Sequence, residues 1–204
     1  MLVDINPDNP QGRLINKLVN ILEDGGVIIY PTDTVYGIGC DITNKKAVEK
    51  VARLRGLDPG KALFSFICED ISQVSEYAAQ ISNDVFRVMK HNLPGPFTFI
   101  LRANKKTPKI LKNRKDTIGI RVPDNNIIMA LVQVLGRPIL TASLKSDDEI
   151  LEYFTNAEDI YDDFGKLVDA VIDGGPGNNV PSTIIDCTGD QPVLQRQGAG
   201  LLQE

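Results

Sequence analysis

Apolar positions along the chain switch between two periods. Leu14, Ile15, Leu18, Val19, Ile21 and Leu22 recur at the spacing of an amphipathic helix, with Asn9 and Pro10 as N-cap and first position and Gly25 as the stop. Val27, Ile28 and Ile29 then form a β-branched run of the buried-strand type, which Pro31 closes because it has no ladder donor. The same alternation predicts a helix near Lys45 to Leu54, a strand at Ala62 to Cys68 and a helix near Ser82 to His91. After the turn Leu93-Pro-Gly-Pro96 come a strand at Phe97 to Leu101, another at Thr117 to Val122, a helix at Asn125 to Leu135 and a strand at Pro138 to Ala142. Three short strands follow, Leu167 to Ile172, Thr183 to Asp186 and Val193 to Arg196, joined by Gly- and Pro-rich turns. Interleaved helices and strands without a repeat or polar linker predict one α/β domain over residues 1–204, built on a twisted, partly parallel sheet flanked by helices.

Composition narrows the picture in three ways. With 42% hydrophobic residues, 204 residues fill a sizeable core. The start, MLVDINPDNPQGR, lacks the basic and apolar parts of a signal peptide. No apolar run approaches the ~20 residues of a membrane span, so a cytoplasmic protein with no membrane contact is expected. Cys40, Cys68, Cys187 and the single His91 have no metal-ligand spacing, and they argue against a disulfide framework. The net charge of −5 disfavours indiscriminate nucleic-acid binding. The densest basic cluster, Lys105, Lys106, Lys109, Lys112, Arg114 and Lys115, has few aromatics for base stacking and reads as a solvated face or a phosphate contact. Asp147 to Glu149 reads as a solvated loop.

The chemistry concentrates at strand ends. Thr32, Asp33 and Thr34 follow the first buried strand in a loop that runs on through Gly37-Ile38-Gly39, which lacks the third glycine of a dinucleotide fingerprint. No GxxxxGK[ST] phosphate loop exists. Arg121 follows an apolar strand and precedes Pro123, so its guanidinium stands at a rim, ready for a carboxylate or phosphate or for a neighbouring acid. Thr141-Ala-Ser143 ends another strand, Ser182 and Thr183 open a third, and Arg196 closes the last. Thr34, Arg121, Ser143, Ser182 and Arg196 are therefore expected to meet in one open groove. Gly174 to Gly177, just ahead of Ser182, supply backbone freedom for close approach to a ligand.

These motifs resemble the YrdC-type domain of threonylcarbamoyl-AMP synthases. Pro31-Thr-Asp-Thr-Val-Tyr-Gly-Ile38 is similar to the family's Pro-Thr-[Asp/Glu]-Thr-Val-Tyr-Gly-Leu loop, and Gly119-Ile-Arg-Val-Pro123 to its Gly-x-Arg-x-Pro. Pro94-Gly-Pro-Phe-Thr98, Pro181-Ser-Thr-Ile-Ile-Asp186 and Arg196-Gln-Gly198 match three more of its motifs, and Ser143 the first residue of its Ser-Ala-Asn. The resemblance runs from the first helix to Gly198 and implies a YrdC-like α/β fold with an open concave groove, without the extra C-terminal domain of longer members. It also implies that Thr34, Arg121, Thr141 and Ser182 bind threonine, with Arg121 on its carboxylate. Arg55, Lys61, Thr117, Ser143 and Arg196 would bind ATP, which brings Mg2+ on its phosphates; no tightly bound cofactor is implied. The implied reaction joins threonine, bicarbonate and ATP into threonylcarbamoyl-adenylate, which supplies N6-threonylcarbamoyladenosine in tRNA. No catalytic base stands out.

Two positions depart from the synthase pattern. Where the family has Lys-x-Arg, this chain has Arg55-Gly-Leu57, and Ser143-Leu-Lys145 replaces Ser-Ala-Asn. An apolar Leu57 cannot donate to phosphate, although Lys61 lies four residues on. Both changes resemble the YciO branch of the family. A non-synthase paralogue that binds RNA (double-stranded RNA or tRNA) or a nucleotide-like ligand in the same groove is the alternative reading, and the oligomeric state is not encoded.

Overall fold

The structure is a computed structural model that describes residues 1–57, 64–108, 116–145, 153–189 and 191–203. The elements run β1 Leu2–Asp4, α1 Gly12–Glu23, β2 Ile28–Tyr30, β3 Gly37–Asp41, α2 Lys45–Leu54, β4 Ser65–Ile67, α3 Ile71–Tyr77 and α4 Asn83–Asn92. They continue with β5 Phe97–Arg102, β6 Thr117–Arg121, α5 Asn126–Leu135, β7 Ile139–Ser143, α6 Ala157–Phe164, β8 Ala170–Asp173, β9 Thr183–Asp186 and β10 Val193–Arg196. Among the described residues ten strands form one open sheet in the order β1-β8-β2-β3-β7-β4-β6-β5-β9-β10. Pairing is mixed: β1 with β8, β2 with β8, β4 with β6 and β5 with β9 are parallel, and the other neighbours antiparallel.

Two apolar cores sandwich this sheet. On one face Ile38, Cys40, Phe66, Phe99, Ile120, Leu140 and Ile185 pack against α2, α3, α4 and α6 through Val48, Val51, Val74, Val85, Met89 and Ile160. On the other, Ile28, Tyr30, Ile67, Ile139 and Ile172 lie beneath Ile15, Leu18 and Leu22 of α1 and Ile128, Leu131 and Leu135 of α5. Two helices end in Schellman caps. After α1, Gly25 (φ 84°) donates to Leu22 O and Gly26 to Ile21 O; after α2, Gly56 (φ 61°) donates to Arg53 O and Leu57 to Ala52 O. The second cap turns Arg55 and Leu57 back over the sheet.

Most predicted elements stand within a residue or two of their expected bounds, and the differences have local causes. Helix α1 begins at Gly12 with Gln11 in the N-cap position, not at Pro10. Asn6 Oδ1 accepts the N–H groups of Asp8 and Asn9, which winds that stretch into a turn instead. The expected strand from Leu167 forms only at Ala170, because Leu167 and Val168 still donate to Phe164 O at the end of α6. Ala62 and Leu63, the first residues of the strand expected before Cys68, lie outside the described residues. No described helix is long and apolar enough to cross a membrane.

Candidate functional site

The site grows from strand parity. Cross-strand pairs Gly37 with Ser143, Gly39 with Thr141, Thr141 with Ser65 and Ser65 with Gly119 put glycines and hydroxyls on the sheet face that α1 and α5 cover elsewhere. One pair further along the same strands, Ile67 meets Ile139 inside the apolar core. The helices stop there, and the small residues are left uncovered. A Cβ at Gly39 would collide with Leu140 O and come within 2.7 Å of the Tyr30 hydroxyl, so that position admits no side chain, and one at Gly37 would press on the Tyr30 ring at 3.0 Å and Thr141 Oγ1 at 3.1 Å.

Above this floor lies a groove cavity of about 200 Å3 lined by Tyr36, Arg55, Leu57, Ser65, Thr98, Arg121, Thr141, Ser143, Ser182 and Arg196, among others. Among the described residues three arginines and no carboxylate line it, so its field favours an anion. Six of the site residues expected from the sequence line it together: Arg55, Arg121, Thr141, Ser143, Ser182 and Arg196. Thr98 Oγ1 and Ser182 Oγ lie 2.8 Å apart, and Arg196 Nη2 donates to Ser182 O at 2.7 Å, so β5, β9 and β10 lock this wall together.

Arg121 is the deepest cation. Its Nη2 donates to Asp33 Oδ1 at 2.7 Å and to Thr34 Oγ1 at 2.9 Å, while its buried Nε has no hydrogen-bond partner. The ion pair and the groove position thus coexist. Asp33 Oδ2 accepts Asp124 N–H at 3.0 Å. Burial pushes the Asp33 carboxyl above its usual range, against the opposing pull of Arg121 and the Asp124 N–H. Thr32 Oγ1 donates to Val35 O at 2.8 Å and accepts from Thr34 N at 3.0 Å, which fixes the loop. The Tyr30 hydroxyl lies against Thr141 without a hydrogen bond of sound geometry, and burial holds it protonated.

The other expected positions fall elsewhere. Thr34 is fully buried behind Arg121 and does not line the cavity. Thr117 sits at the opposite end of β6, paired with Arg102, also away from it. Lys61 lies outside the described residues, as do Lys109, Lys112, Arg114 and Lys115 of the basic cluster and Asp147 to Glu149. Leu144 points into the core, and Lys145 Nζ stands 5.7 Å over the Tyr153 ring, so the altered Ser-Leu-Lys segment reshapes packing beside the groove. Gly174 and Gly177 approach protein side chains, Pro31 with Ile127 and the Tyr36 ring respectively, not ligand space.

Ser65, Thr98 and Tyr36 were not singled out by sequence. For the first two a signal existed: Phe64, Phe66 and Phe97, Phe99 bracket them at period two, so a core-facing pair implies a hydroxyl on the opposite face.

Residues 20–198 match the family model for Sua5, YciO and YrdC, described as telomere recombination. The chain is 46% identical to the uncharacterized protein YciO of Escherichia coli K12 over 96% of this chain and 94% of that one. A crystal structure of E. coli YciO superposes with a TM-score of 0.91 at 44% identity, covering 98% of this chain and 96% of that one. The threonylcarbamoyl-AMP synthase of Bacillus subtilis 168 is 31% identical over 98% of this chain, which spans 57% of the synthase. A crystal structure of Pyrococcus abyssi Sua5 complexed with L-threonine superposes with a TM-score of 0.87 at 25% identity, covering 97% of this chain and 57% of that one.

Proposed function

The chain belongs to the Sua5/YciO/YrdC family, and from that premise we propose that it is a threonylcarbamoyl-AMP synthase-like enzyme that binds L-threonine and ATP in the groove. The observation that carries the reading is Arg121, a buried guanidinium on the cavity wall with its Nε unpartnered, beside the hydroxyls of Thr141 and Ser182. An unsatisfied buried donor is costly unless a ligand oxygen answers it. The amino-acid carboxylate is that acceptor. A cavity of about 200 Å3 is below the ~300–1,000 Å3 of drug-sized pockets, so it suits an amino acid, with the nucleotide extending along the open groove.

In this reading Arg121 takes the carboxylate, Thr141 and Ser182 the threonine hydroxyl or carbamate, and Arg55, Ser143 and Arg196 the phosphates. Thr34 acts on Arg121 from behind. Bicarbonate loses hydroxide to give CO2, the free threonine amine captures it as carbamate, and the released amine proton joins that hydroxide as water. The carbamate oxygen then attacks the α-phosphorus and pyrophosphate leaves, with Mg2+ entering as part of the ATP substrate. The adenylation step requires no protein base, since the carbamate oxygen is already anionic.

Leu57 lines the groove where a donor would serve the phosphates. Losing one charge-assisted transition-state donor costs about 3 kcal/mol, roughly a hundredfold in rate. The test is pyrophosphate release from ATP with and without threonine and bicarbonate. A slow rate that needs both, and that rises in Leu57→Arg or Leu57→Arg/Arg55→Lys, is expected. A rate independent of threonine contradicts it.

Leu57 also favours a second reading, a non-synthase that holds RNA or a nucleotide-like ligand in the groove. RNA binding that weakens steeply with salt, in a protein without pyrophosphate release, supports that reading instead.

A further inference from the structure

Beyond Arg121 the chain runs on as Val122, Pro123 and Asp124, and these residues line a second cavity of about 390 Å3. That volume falls in the ~300–1,000 Å3 range of small-molecule pockets. Its walls are mainly apolar, built by Ile71, Leu93, Pro94, Val122, Pro123 and Met129. Its acidic groups are Glu69, Asp70 and Asp124, and among the described residues no Lys, Arg or His lines it. The charge pattern is thus the reverse of the groove on the other side of Arg121.

Asp70 is already engaged, because its Oδ1 caps α3 by accepting Gln73 N–H at 2.8 Å. The Asn125 side chain is likewise spent as the N-cap of α5. Among the described residues the carboxylates of Glu69 and Asp124 have no hydrogen-bond or ion-pair partner. An apolar chamber edged by two carboxylates without counter-charge is complementary to a molecule with an apolar body and a cationic head. An anion meets the Ser72 hydroxyl and the Asn126 amide there but no cationic side chain among the described residues, and it faces the half-buried Glu69 and the exposed Asp124.

The cavity wall is also wired to the groove. Asp124 N–H donates to Asp33 Oδ2 at 3.0 Å, and Asp33 Oδ1 holds Arg121 Nη2 at 2.7 Å. We propose that this cavity is a second ligand site, selective for an alkyl- or arylamine, and that its occupation shifts the Asp33–Arg121 pair and so the affinity of the groove for its anionic ligand. Coupling of this kind is reciprocal between the two sites. The amine site does not depend on which ligand the groove takes.

The probes are 2-phenylethylamine and phenylacetate, which share shape and differ in charge, titrated into the full chain labelled at methionine methyls and arginine Nε. Met129 lines the cavity, and Met89, fully buried and not part of its lining, is the internal control. Phenylethylamine should shift the Met129 methyl saturably and leave Met89 still, with phenylacetate at least about fivefold weaker. The Arg121 Nε–H resonance should move with the same midpoint. Glu69→Gln/Asp124→Asn should erase the preference for the amine while the fold, read from Met89, is unchanged. Equal responses to the two probes, a non-saturable drift or no response at Met129 overturns the site. A Met129 response with a silent Arg121 overturns the coupling.

Discussion

One sheet face has two unlike halves. Beneath α1 and α5, Ile28, Tyr30, Ile67 and Ile139 are sealed; a pair or two along the same strands, Gly37, Ser65, Thr141 and Ser143 lie open. Parity is the same in both halves, and only side-chain size and polarity differ. Large aliphatic groups bring enough apolar area to hold two helices down, at about 25 cal/mol per Å2. Glycines and short hydroxyls bring little, and they leave backbone and polar atoms within reach of a ligand. The covered half makes the fold, and the open half spends the same scaffold on recognition.

Arg121 stands at the border, and changing it should have the largest effect. Arg121→Ala strands the Asp33 carboxylate, whose side chain is only 8% exposed, and should destabilise the protein by about 3–5 kcal/mol in urea unfolding. Asp33→Leu/Arg121→Met should regain most of that loss and remain unable to bind threonine. If the double variant is as unstable as Arg121→Ala, the pair is not the source of the cost.

Neighbours on the two halves should separate next. Ile67→Ala removes a fully buried side chain and is expected to cost about 2–5 kcal/mol. Ser65→Ala, two residues earlier on the same face, should stay within about 0.5 kcal/mol yet weaken ligand binding. Similar losses for both would erase the distinction between the halves.

A smaller effect tests a charge outside the site. Burial raises the Asp41 carboxyl, but Arg137, through Nε and Nη2, and the Thr43 donors outweigh it and hold it below the usual range. A depressed folded value means that the contribution is complete above the unfolded value of about 3.9 and fades as pH falls through the folded one. Asp41→Asn should therefore cost about 1–3 kcal/mol at neutral pH, with the gap to wild type closing below about pH 4. A gap that does not change with pH removes the electrostatic explanation.

The smallest change should be a gain. The Tyr30 hydroxyl is buried without a sound hydrogen bond, so Tyr30→Phe should stabilise the ligand-free protein by about 1 kcal/mol, read as a higher Tm. A lower Tm would mean that the contact with Thr141 is a working hydrogen bond.

Sequence carried the fold where local chemistry and tertiary need agree. Lys45–Leu54, Thr183–Asp186 and Val193–Arg196 fold as their patterns predict. β3, Gly-Ile-Gly-Cys-Asp, carries little strand propensity and is a strand because β2 and β7 pair it on both sides. α3 and α6 each carry their stripe on only three positions, Ile71, Val74 and Tyr77 and Ala157, Ile160 and Phe164, which is too short a run to stand out in the sequence. In the site, the strand-end hydroxyls and arginines were legible from the turns that stop each strand. The Asp33–Arg121 pair spans 88 residues, a separation no local spacing reveals, and it is this pair that draws Thr34 behind the groove wall.

The most direct measurement is titration calorimetry of L-threonine into wild type, Ser182→Ala and Thr141→Val. The groove reading predicts saturable binding to wild type that weakens by about tenfold, near 1.4 kcal/mol, when either hydroxyl is removed. No binding to wild type, or equal binding by all three proteins, would contradict it.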